Sequence, residues 1–208
     1  MRRGYSGRGL NEADLAPTWL EQLMAWIADA VRSEVREPNA MVLATAGADS
    51  SPAARTVLLK GLDERGLAFY TNLGSRKGRE LEENPRASLA FTWLELERQV
   101  RADGTVEPVA DEEADAYFAS RPRGSQLAAL ASPQSEVIAS REEIEARYAE
   151  LAQRHPEGSP VARPVWWGGR RLVPSSVEFW QGREDRLHDR LRYRREAGGV
   201  WIVERLAP

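Results

Sequence analysis

At Glu37-Pro38-Asn39 the apolar residues of this chain stop recurring with helical spacing and gather into short runs divided by turn residues. Upstream, Thr18 and Glu21 make a capping-box pattern that opens a helix. Its apolar face is expected to be Trp19, Leu20, Leu23, Met24, Ile27 and Val31. Downstream, residues 41–45 read as a strand and 46–49 as a turn. A second strand over 55–60 meets the turn Asp63-Glu64-Arg65-Gly66, and 67–71 returns, so these two strands are expected to form a hairpin. Ser75 caps a short helix that runs to Glu83 and stops at Asn84-Pro85. Residues 87–93 and 98–109 read as strands, the second carrying an Asp103-Gly104 turn. Helical patterns follow over 111–119 and 125–131, and again from Ser140 to about His155. The tail returns to strand character over 171–180, 191–195 and 200–205, the last two joined across Ala197-Gly198-Gly199. Six or seven strands with helices between them, and no alternating βαβ units, imply an α+β domain on an antiparallel barrel. Residues 1–17 are polar and read as a mobile arm ahead of a single domain, 18–208.

Composition narrows what this domain does. A net charge of −3 gives no global attraction to nucleic acid or an anionic membrane. Without cysteine there are no disulfides, thiolate metal sites or cysteine nucleophiles. With no second histidine near either His155 or His188, metal-ligand spacing fails as well. No apolar run suits a membrane span and no secretory leader is evident, so a cytosolic location is expected. Any anion must be caught by a local constellation. Of 29 basic residues only Lys60 and Lys77 are lysines, which marks two places where a compact ammonium is either required or merely left over.

Five constellations stand out. Arg55 and Lys60 end one strand and, five residues apart, point to opposite faces; they serve separate anions or are the charged ends of an edge strand. Tyr70-Thr71-Asn72-Leu73-Gly74-Ser75-Arg76-Lys77 brings hydroxyls and two cations to a helix N-terminus, where cations oppose the dipole unless an anion sits among them. Gln99, a two-way hydrogen bonder in a strand, suits a flavin edge or a solvated face. Tyr117, Arg121, Arg123 and Ser125, followed by Gln134 and Ser135, make a second phosphate site or a set of helix-end charges on carbonyls. In the tail, Trp180 offers a stacking face, and Arg183, Arg186, His188 and Arg190 crowd together. His155, before Pro156, reads as solvated.

In order and number these segments resemble the pyridoxine/pyridoxamine 5'-phosphate oxidase family. Carrying the likeness are Phe69-Tyr70-Thr71-Asn72, Ser75-Arg76-Lys77, Ser120-Arg121-Pro122-Arg123, Gln134-Ser135, Trp167-Gly168-Gly169, Val177-Glu178-Phe179-Trp180-Gln181-Gly182 and the terminal Arg205-Leu206-Ala207-Pro208. Arg186-Leu187-His188-Asp189-Arg190 discriminates best.

The resemblance implies an antiparallel split β-barrel with flanking helices, paired as a homodimer with FMN at the seam. By it, Arg55, Thr56, Val57, Leu58, Leu59, Lys60, Tyr70, Thr71, Arg76, Lys77, Gln99, Gln134, Ser135, Trp180 and Arg190 match flavin-binding positions. Lys60, Tyr117, Arg121 and Ser125 match positions holding the substrate phosphate. Arg186, Leu187 and His188 match the reacting end, with Arg186 and His188 in the catalytic roles, and Arg2 and Tyr5 match an arm that closes over substrate. The implied reaction oxidises pyridoxamine 5'-phosphate or pyridoxine 5'-phosphate to pyridoxal 5'-phosphate, with hydride to the flavin and O2 as final acceptor. Orientation and electrostatics, rather than a strong base at His188, are expected to supply the protein's share. Two other readings remain: a phenazine-type flavin oxidase, which needs no substrate-phosphate cluster, and a non-catalytic module that binds FMN or pyridoxal 5'-phosphate. One departure, Ala102-Asp103 after Arg98-Gln99-Val100, suggests a shorter hairpin there; the doubled Trp166-Trp167 suggests packing.

Overall fold

The computed structural model describes residues 9–208. Helix α1 (Trp19–Arg32) begins at Thr18 with the capping box intact: Thr18 accepts from the Glu21 backbone, and Glu21 accepts from the Thr18 backbone. Its inward face is rotated from the expected one. Trp19, Leu23, Trp26 and Ala30 are buried, while Met24 and Val31 lie on the solvent side. Trp26 decides this, because it packs edge-on against Phe179 at 5.2 Å and carries the Arg98 guanidinium over its ring.

The strands are β1 (Ala40–Ala46), β2 (Pro52–Leu58), β3 (Gly61–Asp63), β4 (Gly66–Asn72), β5 (Arg86–Trp93), β6 (Arg98–Pro108), β7 (Trp167–Gln181), β8 (Asp189–Arg195) and β9 (Trp201–Arg205). All pairings are antiparallel, in the order β2-β1-β5-β6-β7-β4-β3, with β8 and β9 added beside β7. The two ends of that path, β2 and β3, are separated by Leu59 and Lys60 alone, so the sheet curls until its edges meet in one stretch of chain. Flanking helices α2 (Arg76–Glu83), α3 (Asp111–Ser120), α4 (Arg123–Ala131) and α5 (Arg141–Arg154) complete the domain. The core lies inside the curl, where Leu43, Phe69, Leu89, Phe91, Val100, Phe179 and Leu191 are fully enclosed.

Two expectations about the sheet are corrected. The strand before Lys60 does not form a hairpin with 67–71: β2 pairs along its whole length with β1, Met41 facing Val57 and Leu43 facing Arg55. The partner of β4 across Asp63-Gly66 is the three-residue β3. Alternation specifies which face of a strand is buried, not which neighbour it takes. Asp103-Gly104 is not a turn either. Chain β6 runs straight through it for eleven residues, with a register shift opposite Pro174. A Cβ on Gly104 would fall 2.1 Å from the Val173 carbonyl oxygen, so glycine permits this bulge. The strand is accordingly not shortened after Val100. Among the described residues no helix is long and apolar enough to cross a membrane, and no metal-binding cluster occurs.

Residues 9–17 lie against the last strands. Leu10 is buried, its N–H donates to Asp189 at 3.0 Å, and the Tyr193 hydroxyl donates to the Ala16 carbonyl at 2.6 Å.

Candidate active site

A cavity of about 420 Å³ opens between β2, β4, α3 and α4. Thr56, Val57, Leu58, Lys60, Tyr70, Thr71, Lys77, Tyr117, Arg121, Ser125 and Gln134 all line it. Strand β4 supplies Tyr70 and Thr71, which pair with Gly169 and Gly168 of β7. A Cβ on Gly169 would stand 2.8 Å from the Tyr70 ring and 2.7 Å from Val109, so only glycine lets that ring lie flat on the neighbouring strand. Tyr70 stacks on Tyr117 at 4.0 Å, and both run nearly parallel to Trp167. The Arg121 guanidinium lies 4.8 Å from the centre of the Trp167 ring.

The cations on this wall are unusual in their partners. Lys77 is buried, and its Nζ donates to Gln134 Oε1 at 2.9 Å, Thr71 Oγ1 at 3.2 Å and Ser75 Oγ at 3.4 Å, all neutral oxygens. Burial, reinforced by the charge of Arg55, pushes its pKa below the usual lysine value. Arg121 makes no ion pair with a carboxylate among the described residues, and its buried Nη1 has no hydrogen-bond partner. Burial pushes its pKa down too. Neighbouring Arg123 behaves differently, spending its guanidinium on the carbonyls of His155, Pro156 and Ser159, the helix-end role. His155 itself caps α5.

Arg55 and Arg76 sit behind the cavity. Both donate to Glu80, Arg55 at 3.1 Å and Arg76 at 2.7 Å, and Arg55 also reaches Thr45 and the Leu43 carbonyl. Lys60 is not the end of Arg55's strand. It lies in the link after β2, exposed, with its N–H on the Ala68 carbonyl at 2.9 Å. Leu59 packs toward the core. Ser135 is exposed and takes a left-handed φ of 76° beside Gln134. Arg2 and Tyr5 fall outside the described residues.

The remaining predicted residues form a second group. Gln99, Trp180 and Arg190 stand abreast on β6, β7 and β8, Gln99 opposite Trp180 and Trp180 opposite Arg190. Arg190 is held by Glu178 through Nε at 2.8 Å and Nη2 at 3.1 Å. His188 lies with its ring 4.6 Å from that of Trp180, and its Nδ1 accepts from the Arg183 backbone at 3.1 Å, which puts the proton of the neutral ring on Nε2. Asp185 and Arg186 are consecutive left-handed residues, φ 54° and 62°, a conformation that costs side-chain-bearing residues on the order of 1–3 kcal/mol each. Leu187 is exposed beside them. Within one protomer Tyr70 and Trp180 are well separated along β7. Tyr70 pairs with Gly169, and Trp180 lies eleven residues further along β7, up to about 36 Å at strand rise.

Comparison with known proteins identifies the scaffold. Residues 27–155 match the family model described as pyridoxamine 5'-phosphate oxidase. The chain belongs to the pyridoxamine 5'-phosphate oxidase family. Residues 167–208 match the pyridoxine 5'-phosphate oxidase C-terminal dimerisation region, which contains Trp180, Arg186, His188 and Arg190. Relatives called pyridoxine/pyridoxamine 5'-phosphate oxidase include one from Rubrobacter xylanophilus, 59% identical over the whole of this chain and 95% of its own. Another, from Cupriavidus pinatubonensis, is 53% identical, with 100% and 97% covered. At this likeness the chain is an oxidoreductase of the pyridoxamine 5'-phosphate oxidase type. Among solved structures, PhzG from Burkholderia lata 383, in complex with tetrahydrophenazine-1-carboxylic acid, is 36% identical at a TM-score of 0.90, covering 98% of this chain and all of that one. A pyridoxamine 5'-phosphate oxidase-related, FMN-binding protein from Nostoc punctiforme shares the split-barrel fold at 20% identity and a TM-score of 0.73, covering 93% of this chain and 100% of its own.

Three residues of this site were not singled out from the sequence. Trp167 read as packing, and it does pack on Phe118, but it also lines the cavity and carries Arg121. Its place just before Gly168-Gly169 was the available signal. Glu80 joins Arg76, one helical turn before it, to Arg55 of β2, and Glu178 joins Arg101 of β6 to Arg190 of β8; these cross-element contacts are what the sequence does not show.

Proposed function

We propose that this oxidase uses FMN to convert pyridoxamine 5'-phosphate and pyridoxine 5'-phosphate to pyridoxal 5'-phosphate. The observation that carries the reading is Arg121, a half-buried guanidinium with no acidic partner among the described residues and an orphaned Nη1, in one cavity with Tyr117, Ser125 and Lys60. A buried donor without a partner is costly unless a ligand satisfies it. Lys77, likewise surrounded by neutral oxygens and backed by Arg55 and Arg76, makes a separate cation cluster. Two clusters fit two phosphate monoesters, one on the cofactor and one on the substrate.

The residues therefore fit the flavin. Arg55, Arg76, Lys77, Thr71 and Gln134 would hold its phosphate, with Gln99, Trp180 and Arg190 from the other group. Bound there, FMN would take a hydride from the substrate carbon bearing the amine or alcohol and hand the electrons to O2. The chain's own part is binding and orientation. Arg121, Tyr117, Ser125 and Lys60 fix the substrate by its phosphate, and the near-parallel rings of Tyr70 and Tyr117 wall off water. Arg186 and His188 act at the reacting end, His188 presenting Nε2–H as a donor. Because the second group lies in the segment that matches the dimerisation region, the working unit is a homodimer in which the cavity of one protomer faces the Trp180–Arg190 row of its partner.

Anaerobic addition of pyridoxamine 5'-phosphate to the flavin-loaded protein is expected to bleach the flavin band, and air to restore it with release of peroxide. A protein that binds the compound without bleaching would refute the reading. The likeness to PhzG supports a second reading, oxidation of a reduced phenazine-type ring. Arg121 separates the two: Arg121→Ala should sharply raise KM for a phosphorylated substrate and spare turnover of a non-phosphorylated ring.

A further inference from the structure

Glu80 is the acid that both arginines behind Lys77 donate to. It is buried, with a relative exposure of 7%. Its carboxylate accepts from Thr45 Oγ1 at 2.5 Å, from Arg55 Nη2 at 3.1 Å and from Arg76 Nε at 2.7 Å, binding together β1, β2 and α2. A lone buried carboxylate is unfavourable, and burial by itself would raise its pKa. Here the hydrogen bonds from Thr45, Arg76 and Arg55 outweigh burial and hold the pKa below 4.5, so the acid stays ionised.

What this achieves is visible in the charge of the cluster. Arg55, Arg76 and Lys77 crowd one place, and Arg55 already disfavours the charge on Lys77. Glu80 offsets part of this charge, with Asp49 also bearing on Arg76, and the group stays positive toward a phosphate monoester, which carries about −1.5 to −2 at neutral pH. Without Glu80 the group would lose the carboxylate that both arginines donate to until an anion arrived.

We propose that Glu80 is a positioning residue that stands in for phosphate: it holds Arg55 and Arg76 together when no cofactor phosphate is bound and lowers the positive charge that the cluster carries until one arrives. This rests on the reading of the Lys77 cluster as the flavin-phosphate site. It predicts a particular asymmetry. Removing the carboxylate should harm the flavin-free protein most, because a bound phosphate replaces the missing anion. An acid with only a structural role would be missed equally in both states.

The test uses full-length wild type, Glu80→Gln and Glu80→Asp, each stripped of flavin and melted alone, with FMN, and with riboflavin, which lacks the phosphate. Glu80→Gln is expected to melt about 5 °C or more below wild type when flavin-free, as the loss of two charge-assisted hydrogen bonds requires. FMN should close most of that gap, riboflavin should not, and Glu80→Asp should follow wild type. An equal deficit with and without FMN, or an equal rescue by riboflavin, overturns the proposal. Should flavin-free Glu80→Gln fail to fold, refolding with each flavin decides: recovery with FMN alone supports it, and recovery with neither overturns it. Failure of FMN to raise the melting point of wild type itself would show instead that the flavin-site reading is wrong, and the proposal would fall with it.

Discussion

The two groups of site residues treat their cations in opposite ways. In the cavity, Lys77 and Arg121 are surrounded by neutral oxygens and rings. On the outer face of β7 to β9, Arg190 is matched by Glu178, and Arg192 and Arg194 share Glu204. An arginine with an acid beside it is already compensated and mainly holds shape. A cation enclosed without one stores an unmet demand for an anion, and that difference marks the cavity as the place where charged ligands arrive. The row is a rigid, preset surface, and its task is to be brought against something.

If this contrast is right, the largest effect on stability should come from the compensated side. Glu178→Ala leaves Arg190 and Arg101 without their shared buried acid and should cost about 3 kcal/mol by urea unfolding, the low end for a buried pair because water reaches both guanidiniums; a loss near zero would break the comparison. Arg121→Ala should barely change stability but raise KM for pyridoxamine 5'-phosphate about 100-fold, the equivalent of two or so charge-assisted hydrogen bonds. Next comes the pairing of the groups across subunits. At substrate well below KM, mixing Arg121→Ala with Arg190→Ala protomers, each nearly inactive there, should restore about a quarter of wild-type activity, since half the random dimers carry one intact site. No recovery would place both groups in one protomer. His188→Asn should lower kcat by far less than about 10⁴, the ceiling for a proton-transfer group, if His188 orients rather than abstracts. The smallest effect concerns acid. The folded pKa of Glu80 is depressed below 4.5, so its stabilisation is complete above the unfolded value and is lost as pH falls through the folded one. Wild type should therefore lose stability below pH 4.5 more steeply than Glu80→Gln, as melting curves across that range would show.

Much of this was legible without coordinates because it is local. The Thr18–Glu21 box, the Ser75 cap of α2 and the breaks at Asn84-Pro85 and Arg121-Pro122 depend on residues within four positions of one another. The cavity residues were recognisable as a set by their order along the chain, and eleven of those expected line one wall. What escaped was long-range. The rotation of α1 toward Trp26 depends on Phe179, which lies over a hundred residues away. Partner choice for β2 and the bulge at Gly104 depend on neighbouring strands whose alternation looks the same whichever way they pair.

The sequence by itself determined where elements start and stop and which residue types could meet a phosphate, since capping, turn chemistry and charge reside in the residues. Only the tertiary structure decided which cations are neutralised. Arg190 and Arg121 are the same side chain in sequence. The folded chain sets one against Glu178 and the other against Trp167, and whether a charge is compensated depends on distances that no local pattern contains.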